Sequence, residues 1–159
     1  MMLQSKMEAH YTMRKVDTLR FGTIEIEEDK IAHFAHGIPA FEDEKEFVII
    51  PYDSESPYLF MQSLSTPDLA FLITIPFLFF PDYEFELDDA VQKELGIKGQ
   101  EDMLIYAIIT IPQGKIEDMT ANLTAPVVLN KKNMQAKQVV LEKGGYTTRH
   151  RLFPEKKKA

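Results

Sequence analysis

Apolar and polar residues alternate along most of this chain with a period of two, interrupted by short turn-rich intervals, which is the spacing of strands rather than helices. Leu19 and Phe21 hold one parity while Ile24 and Ile26 hold the other, and the slip at Gly22 predicts a bulge. After the acidic turn Glu27-Glu28-Asp29, strands are predicted over 31–34, 47–50, 58–64, 70–75 and 103–111, the last two apolar enough to lie inside. Tyr83, Phe85 and Leu87 alternate with Glu84, Glu86 and Asp88, predicting a strand with a core face and a carboxylate face. One short helix follows. Asp89 is placed to cap it, Gln92 completes a capping-box pattern, Leu87, Val91 and Leu95 mark one side, and Gly96 ends it. Turns at 112–115 and 131–133 predict two hairpins, and 127–130, 138–141 and 146–153 read as the final strands. The fold class is all-β, mainly antiparallel, with one short helix.

The longest apolar run, LAFLITIPFLFF over 69–80, falls short of the roughly 20 residues a membrane span requires. Ala70, Leu72 and Thr74 lie on one side of a strand and Phe71, Ile73 and Ile75 on the other, so its first half is core. Pro76 and Pro81 bracket Phe77-Leu78-Phe79-Phe80, and proline removes ladder bonds, so this tetrapeptide is expected at an edge or in a loop. Large apolar residues there call for a cover, and a partner could supply it.

At 159 residues the chain reads as one domain with a core of its own. It has no cysteine, which removes disulfides, thiolate nucleophiles and thiolate metal clusters. The first residues lack a continuous apolar stretch of signal-peptide type, so a cytoplasmic location is expected. The net charge of −7 is divided unevenly. Residues 1–130 carry 9 basic and 23 acidic side chains, whereas 131–159 carry 9 basic and 2 acidic ones. An acidic body repels nucleic acid and favours a basic protein partner. The short lysine tail is too small and too poor in aromatics to argue for RNA binding.

Residues suited to chemistry do not assemble. Of the four histidines, His33 and His36 are predicted on opposite faces, which is poor geometry for one metal, and His150 reads as a strand residue. Glu84 and Glu86 sit among other acids with no partner that would separate their environments, as a general acid and base require. No nucleophile elbow, phosphate-cradling glycine loop or dinucleotide fingerprint occurs. Neither catalytic, cofactor-binding nor metal-ligating residues are assigned, and recognition is the expected work.

In order along the chain stand FAHGIPAFE (34–42), FMQSL (60–64), PFLFFPDYEF (76–85), TANLTAPVVLN (120–130) and QAKQVVL (135–141). Together they resemble the FliW family of flagellar assembly factors, from about Asp17 to Phe153. Ala40 stands where that family typically has glycine, so less freedom to adopt positive φ is expected there. The resemblance implies a small β-barrel-like domain over 17–153, with 1–16 an N-terminal extension expected to be poorly ordered and 154–159 a basic tail. It implies a non-enzymatic protein that binds flagellin in the cytoplasm. Once flagellin is exported, the freed protein binds the RNA-binding regulator CsrA, which otherwise blocks translation of the flagellin message. No cofactor, membrane or direct nucleic-acid contact is implied.

Candidate protein-binding residues are Phe77, Phe79 and Phe80 of the bracketed tetrapeptide, Asp82 and Tyr83 after it, and the carboxylates Glu84, Glu86 and Asp88. Ile38, Pro39 and Phe41 form a second candidate, whose apolar members either plug one end of a barrel or meet a partner. Gln62 and Asn122 are polar among apolar neighbours and are expected to satisfy loop backbone, with Asn122 kept among the binding candidates. Two other functions compete: a small-ligand β-barrel, or a flagellin export chaperone that ignores CsrA.

Overall fold

The computed structural model describes residues 12–142 and 144–153. It contains β1 (Met13–Thr18), β2 (Gly22–Glu27), β3 (Ile31–Phe34), β4 (Glu46–Pro51), β5 (Tyr58–Ser63) and β6 (Ala70–Thr74). Helix α1 (Asp89–Leu95) follows, then β7 (Met103–Thr110), β8 (Thr120–Ala121), β9 (Val127–Asn130), β10 (Gln135–Gln138) and β11 (His150–Arg151). Seven strands close a barrel in the order β3-β4-β5-β6-β7-β9-β10. The parallel pairing of Gln135 with His33 shuts the ring, and the other neighbouring pairs are antiparallel.

Inside the ring, Phe34, Phe47, Met61, Ile73 and Leu129 are each at most 2% exposed and fill the barrel with side chains. The apolar runs in β3, β4, β7 and β9 reflect a second, outer burial. The β1–β2 hairpin lays Val16 and Ile26 over Ile31 and Val48. Helix α1 and the residue after its cap lay Leu95 and Ile97 over Ile105 and Val128. A third patch joins Ala107 and Ile109 to Tyr83, Met119, Leu123 and Leu152.

Several sequence expectations are corrected. The phase slip at Gly22 is a chain reversal, not a bulge: residues 19–21 turn, Gly22 adopts φ +69°, and β1 pairs with β2 from Met13↔Glu27 to Thr18↔Gly22. That hairpin starts at Met13, inside the stretch set aside as an extension; residues 1–11 and 154–159 lie outside the described residues. Residues 83–87 keep their alternating burial but join no strand ladder; Tyr83 and Phe85 are held by side-chain packing. The helix cap is Asp88 rather than Asp89, with no side-chain cap bond. Gln92 Nε2 donates to the Leu87 carbonyl at 2.9 Å, so the capping box does not form, while Gly96 ends the helix at φ +69° as expected.

The two hairpins are present, as β7 with β8 and β9 with β10. However, the final strands are misplaced or shortened: β10 spans Gln135–Gln138 and shares only Gln138 with the expected strand 138–141, and 146–153 contributes only β11. Between β8 and β9 the chain bulges away from β7. The side-chain Oδ1 of Asn122 fills that gap by accepting the N–H of Thr124 at 3.2 Å and of Ala125 at 3.0 Å.

Candidate functional site

Strand β6 ends at Thr74 because Pro76 cannot continue a ladder, and residues Pro76–Leu78 form a single 3-10 turn. That turn sends side chains in different directions. Phe77 and Leu78 project outward, 40% and 60% exposed, beside Ile75. Phe79 stacks on Tyr58 with ring centres 5.9 Å apart and meets Phe153 edge-on, and Phe80 lies edge-on to His150 at 5.1 Å. The expected four-residue apolar surface is thus reduced by half, since Phe79 and Phe80 are half-buried in the third packing patch.

Beyond Pro81 the chain runs as a ridge. Tyr83 anchors it: only 4% exposed, its hydroxyl donates to the Leu123 carbonyl at 2.7 Å and its ring meets that of Tyr146 at 4.7 Å. Burial pushes the Tyr83 phenol well above its ordinary range. Tyr83 therefore holds the ridge down and, although grouped with the surface candidates, is buried, reaching the surface only within the wall of one groove. Asp82, Glu84, Glu86 and Asp88 all point to solvent.

An open groove runs along each side of the ridge. One, of about 740 Å³, has Phe77, Phe85, Leu87, Ile97 and Met103 in its wall with Glu84, Glu86 and Asp89 at its rim. The other, of about 650 Å³, lies between residues 84–88 and residues 139–142. Four carboxylates, Glu84, Glu86, Asp88 and Glu142, surround Val139, Val140 and Leu141 there. Apolar floors edged with carboxylates suit a polypeptide that offers both apolar and basic groups.

The loop of Ile38, Pro39 and Phe41 lies elsewhere. Ile38 is 2% exposed and belongs to the barrel interior, so it is the plug. Phe41 is 40% exposed with its ring edge-on to Phe71, and Pro39 is exposed. Ile38 and Phe41 exchange backbone hydrogen bonds, with Pro39 at φ fixed by its ring and Ala40 at φ +73°. This is the type II turn pattern, so alanine does adopt the positive φ that its side chain disfavours. Asn122 spends its acceptor on Thr124 and Ala125, and Gln62 Nε2 donates to the carbonyls of Ser63 and Pro67 at 3.0 and 3.1 Å.

His33 and His36 pair with acids instead of with each other: His36 Nε2 lies 3.0 Å from Glu94, and His33 Nδ1 lies 3.9 Å from Glu46. Among the described residues no group of three or more His, Asp or Glu is placed to hold a metal, and no helix is long and apolar enough to cross a membrane.

Sequence reasoning missed the wall at 139–142. Its signal was available: Val139, Val140 and Leu141 are consecutive, and adjacent residues of an extended chain cannot share a face. Val140 is the one turned out, 65% exposed.

The model of the family described as "FliW protein" matches residues 15–152. Flagellar assembly factor FliW of Desulfitobacterium hafniense (strain DSM 10664 / DCB-2) is 45% identical over 141 residues, covering 89% of this chain and 92% of that protein. The same-named protein of Geobacillus kaustophilus (strain HTA426) is 45% identical over 142 residues, covering 89% and 97%. A crystal structure of the flagellar assembly factor FliW superposes with a TM-score of 0.83 at 44% identity, covering 90% of this chain and 99% of that one. With a motif order that runs the length of the domain and a barrel shared with a solved relative, the chain belongs to the FliW family.

Proposed function

We propose that this chain is a non-enzymatic flagellar assembly factor that binds flagellin in the cytoplasm and, when freed of it, binds CsrA and relieves its repression of flagellin translation. One observation carries the reading in a chain of this family: exposed Phe77 and Leu78 stand beside a ridge of carboxylates flanked by two open grooves. A groove with apolar residues in its wall suits the amphipathic terminal helices of flagellin. CsrA presents positive charge to RNA phosphates, and Glu84, Glu86 and Asp88 held near it would both attract the protein and repel the nucleic acid.

A barrel interior filled by Phe34, Phe47, Met61, Ile73 and Leu129 disfavours the small-ligand alternative. The test is a titration of flagellin into a preformed complex of this protein with CsrA. Displacement of CsrA is expected. A stable complex of all three, or binding of flagellin with no affinity for CsrA, would replace the switch with a scaffold or a simple chaperone. Charge reversal at Glu84, Glu86 and Asp88 is expected to weaken antagonism of RNA binding by CsrA; unchanged antagonism removes the ridge from the mechanism.

A further inference from the structure

Across the groove of about 650 Å³, two extended segments face each other with backbone groups left over. Residues 139–141 continue the direction of β10: the Val139 N–H donates to the Pro126 carbonyl at 2.9 Å and the Leu141 N–H to the Thr124 carbonyl at 2.7 Å. In an extended chain, successive residues aim their N–H and C=O groups at opposite edges. Val140 therefore turns its backbone groups away from β9 and into the groove, and among the described residues neither has a hydrogen-bond partner.

On the other bank, the Glu84 N–H donates to Tyr146 Oη at 3.1 Å. Tyr146 lies two residues after Gly144, which lines this same groove and where an added Cβ would lie 3.0 Å from the Tyr146 ring, so Glu84 and, by parity, Glu86 direct their backbone toward that side. Among the described residues the N–H and C=O of Glu86 have no partner either. Side chains sort in the perpendicular direction. Phe85, Val139 and Leu141 are the less exposed members and lie toward the packed floor, whereas Glu84, Glu86 and Glu142 stand toward solvent.

We propose that this groove receives one extended segment of a partner protein as an inserted strand, its residues alternating between apolar and lysine or arginine. The backbone of that segment bonds to Glu86 on one edge and to Val140 on the other. Its apolar side chains rest on Phe85 and Leu141, and its basic ones rise among the carboxylates. Period two in the ligand follows from the pleat of an inserted strand. This deepens the docking role proposed above by naming how part of a partner is held.

The probe is a short, end-capped peptide of alternating valine and lysine, compared with the same peptide N-methylated at alternate residues, which keeps charge and apolar surface but removes donors. Binding to the full chain is measured by fluorescence anisotropy, and amide hydrogen exchange is read at Glu86 and Val140. The parent peptide is expected to bind, to slow exchange at both amides by about tenfold or more, and to lose about tenfold in affinity or more on N-methylation or with Glu86→Lys. Equal affinity of the two peptides, unprotected amides, or no binding of the parent would each overturn the inserted strand. CsrA displacement by flagellin, measured separately, distinguishes the two proposals: displacement without strand insertion leaves the partner switch standing, and insertion without displacement leaves the groove mode standing.

Discussion

Ala40→Gly is expected to stabilise the protein, and Gly37→Ala, three positions earlier in the same loop, to destabilise it. Ala40 occupies the third position of a proline-led turn at φ +73°, closed by hydrogen bonds between Ile38 and Phe41. The left-handed region costs an L-residue about 1–2 kcal/mol. Glycine relieves that strain but adds unfolded-state freedom of roughly 0.4–1 kcal/mol. The net gain is about 0.5–1 kcal/mol, or about 1–4 °C in Tm for a domain of this size. Gly37 is the opposite case: at φ +66°, an added Cβ would sit 2.6 Å from the Cα of Glu42. Strain and overpacking together cost about 2–4 kcal/mol there. Urea denaturation of both variants, followed by tryptophan-free probes such as far-UV circular dichroism, gives the midpoints with m unchanged. A midpoint for Ala40→Gly at or below that of the parent would refute the reading of the turn, as would a tolerated Gly37→Ala.

Three further outcomes are expected. Hydrogen bonds from Ser63, then Thr66, then Ser65 lower the Glu44 carboxyl below its ordinary value of 4.5, so they contribute stability above that pH that is lost as pH falls through the lowered folded value. Glu44→Gln should therefore flatten the acid limb of a stability-against-pH curve, and an unchanged limb would exclude this network as its source. Tyr83→Phe removes a buried bond to the Leu123 carbonyl and should cost about 1–3 kcal/mol by denaturant titration; an unchanged midpoint would show that this bond does not anchor the ridge. Leu78→Ser, at a position 60% exposed, should leave stability within about 0.5 kcal/mol yet weaken flagellin binding by calorimetry; undiminished affinity would move the contact away from the 3-10 turn.

Local pattern determined the greater part of this protein. Alternation placed β3 through β7 and β9 to within a residue or two, proline located the end of β6, glycine ended the helix, and the order of motifs named the family. Those features are read by the chain at short range, through pleat, ring constraint and backbone freedom. Tertiary structure decided what short-range pattern leaves open. An alternating segment is equally compatible with a ladder or with none, and residues 83–87 have none; Tyr83 is held by Leu123 and Tyr146. Apolar bursts do not say which member faces out, so the split between outward Phe77 and Leu78 and inward Phe79 and Phe80 follows from where Tyr58 and His150 lie. Above all, the groove between 84–88 and 139–142 joins segments more than fifty residues apart, and only closure of the barrel brings their unpaired edges face to face.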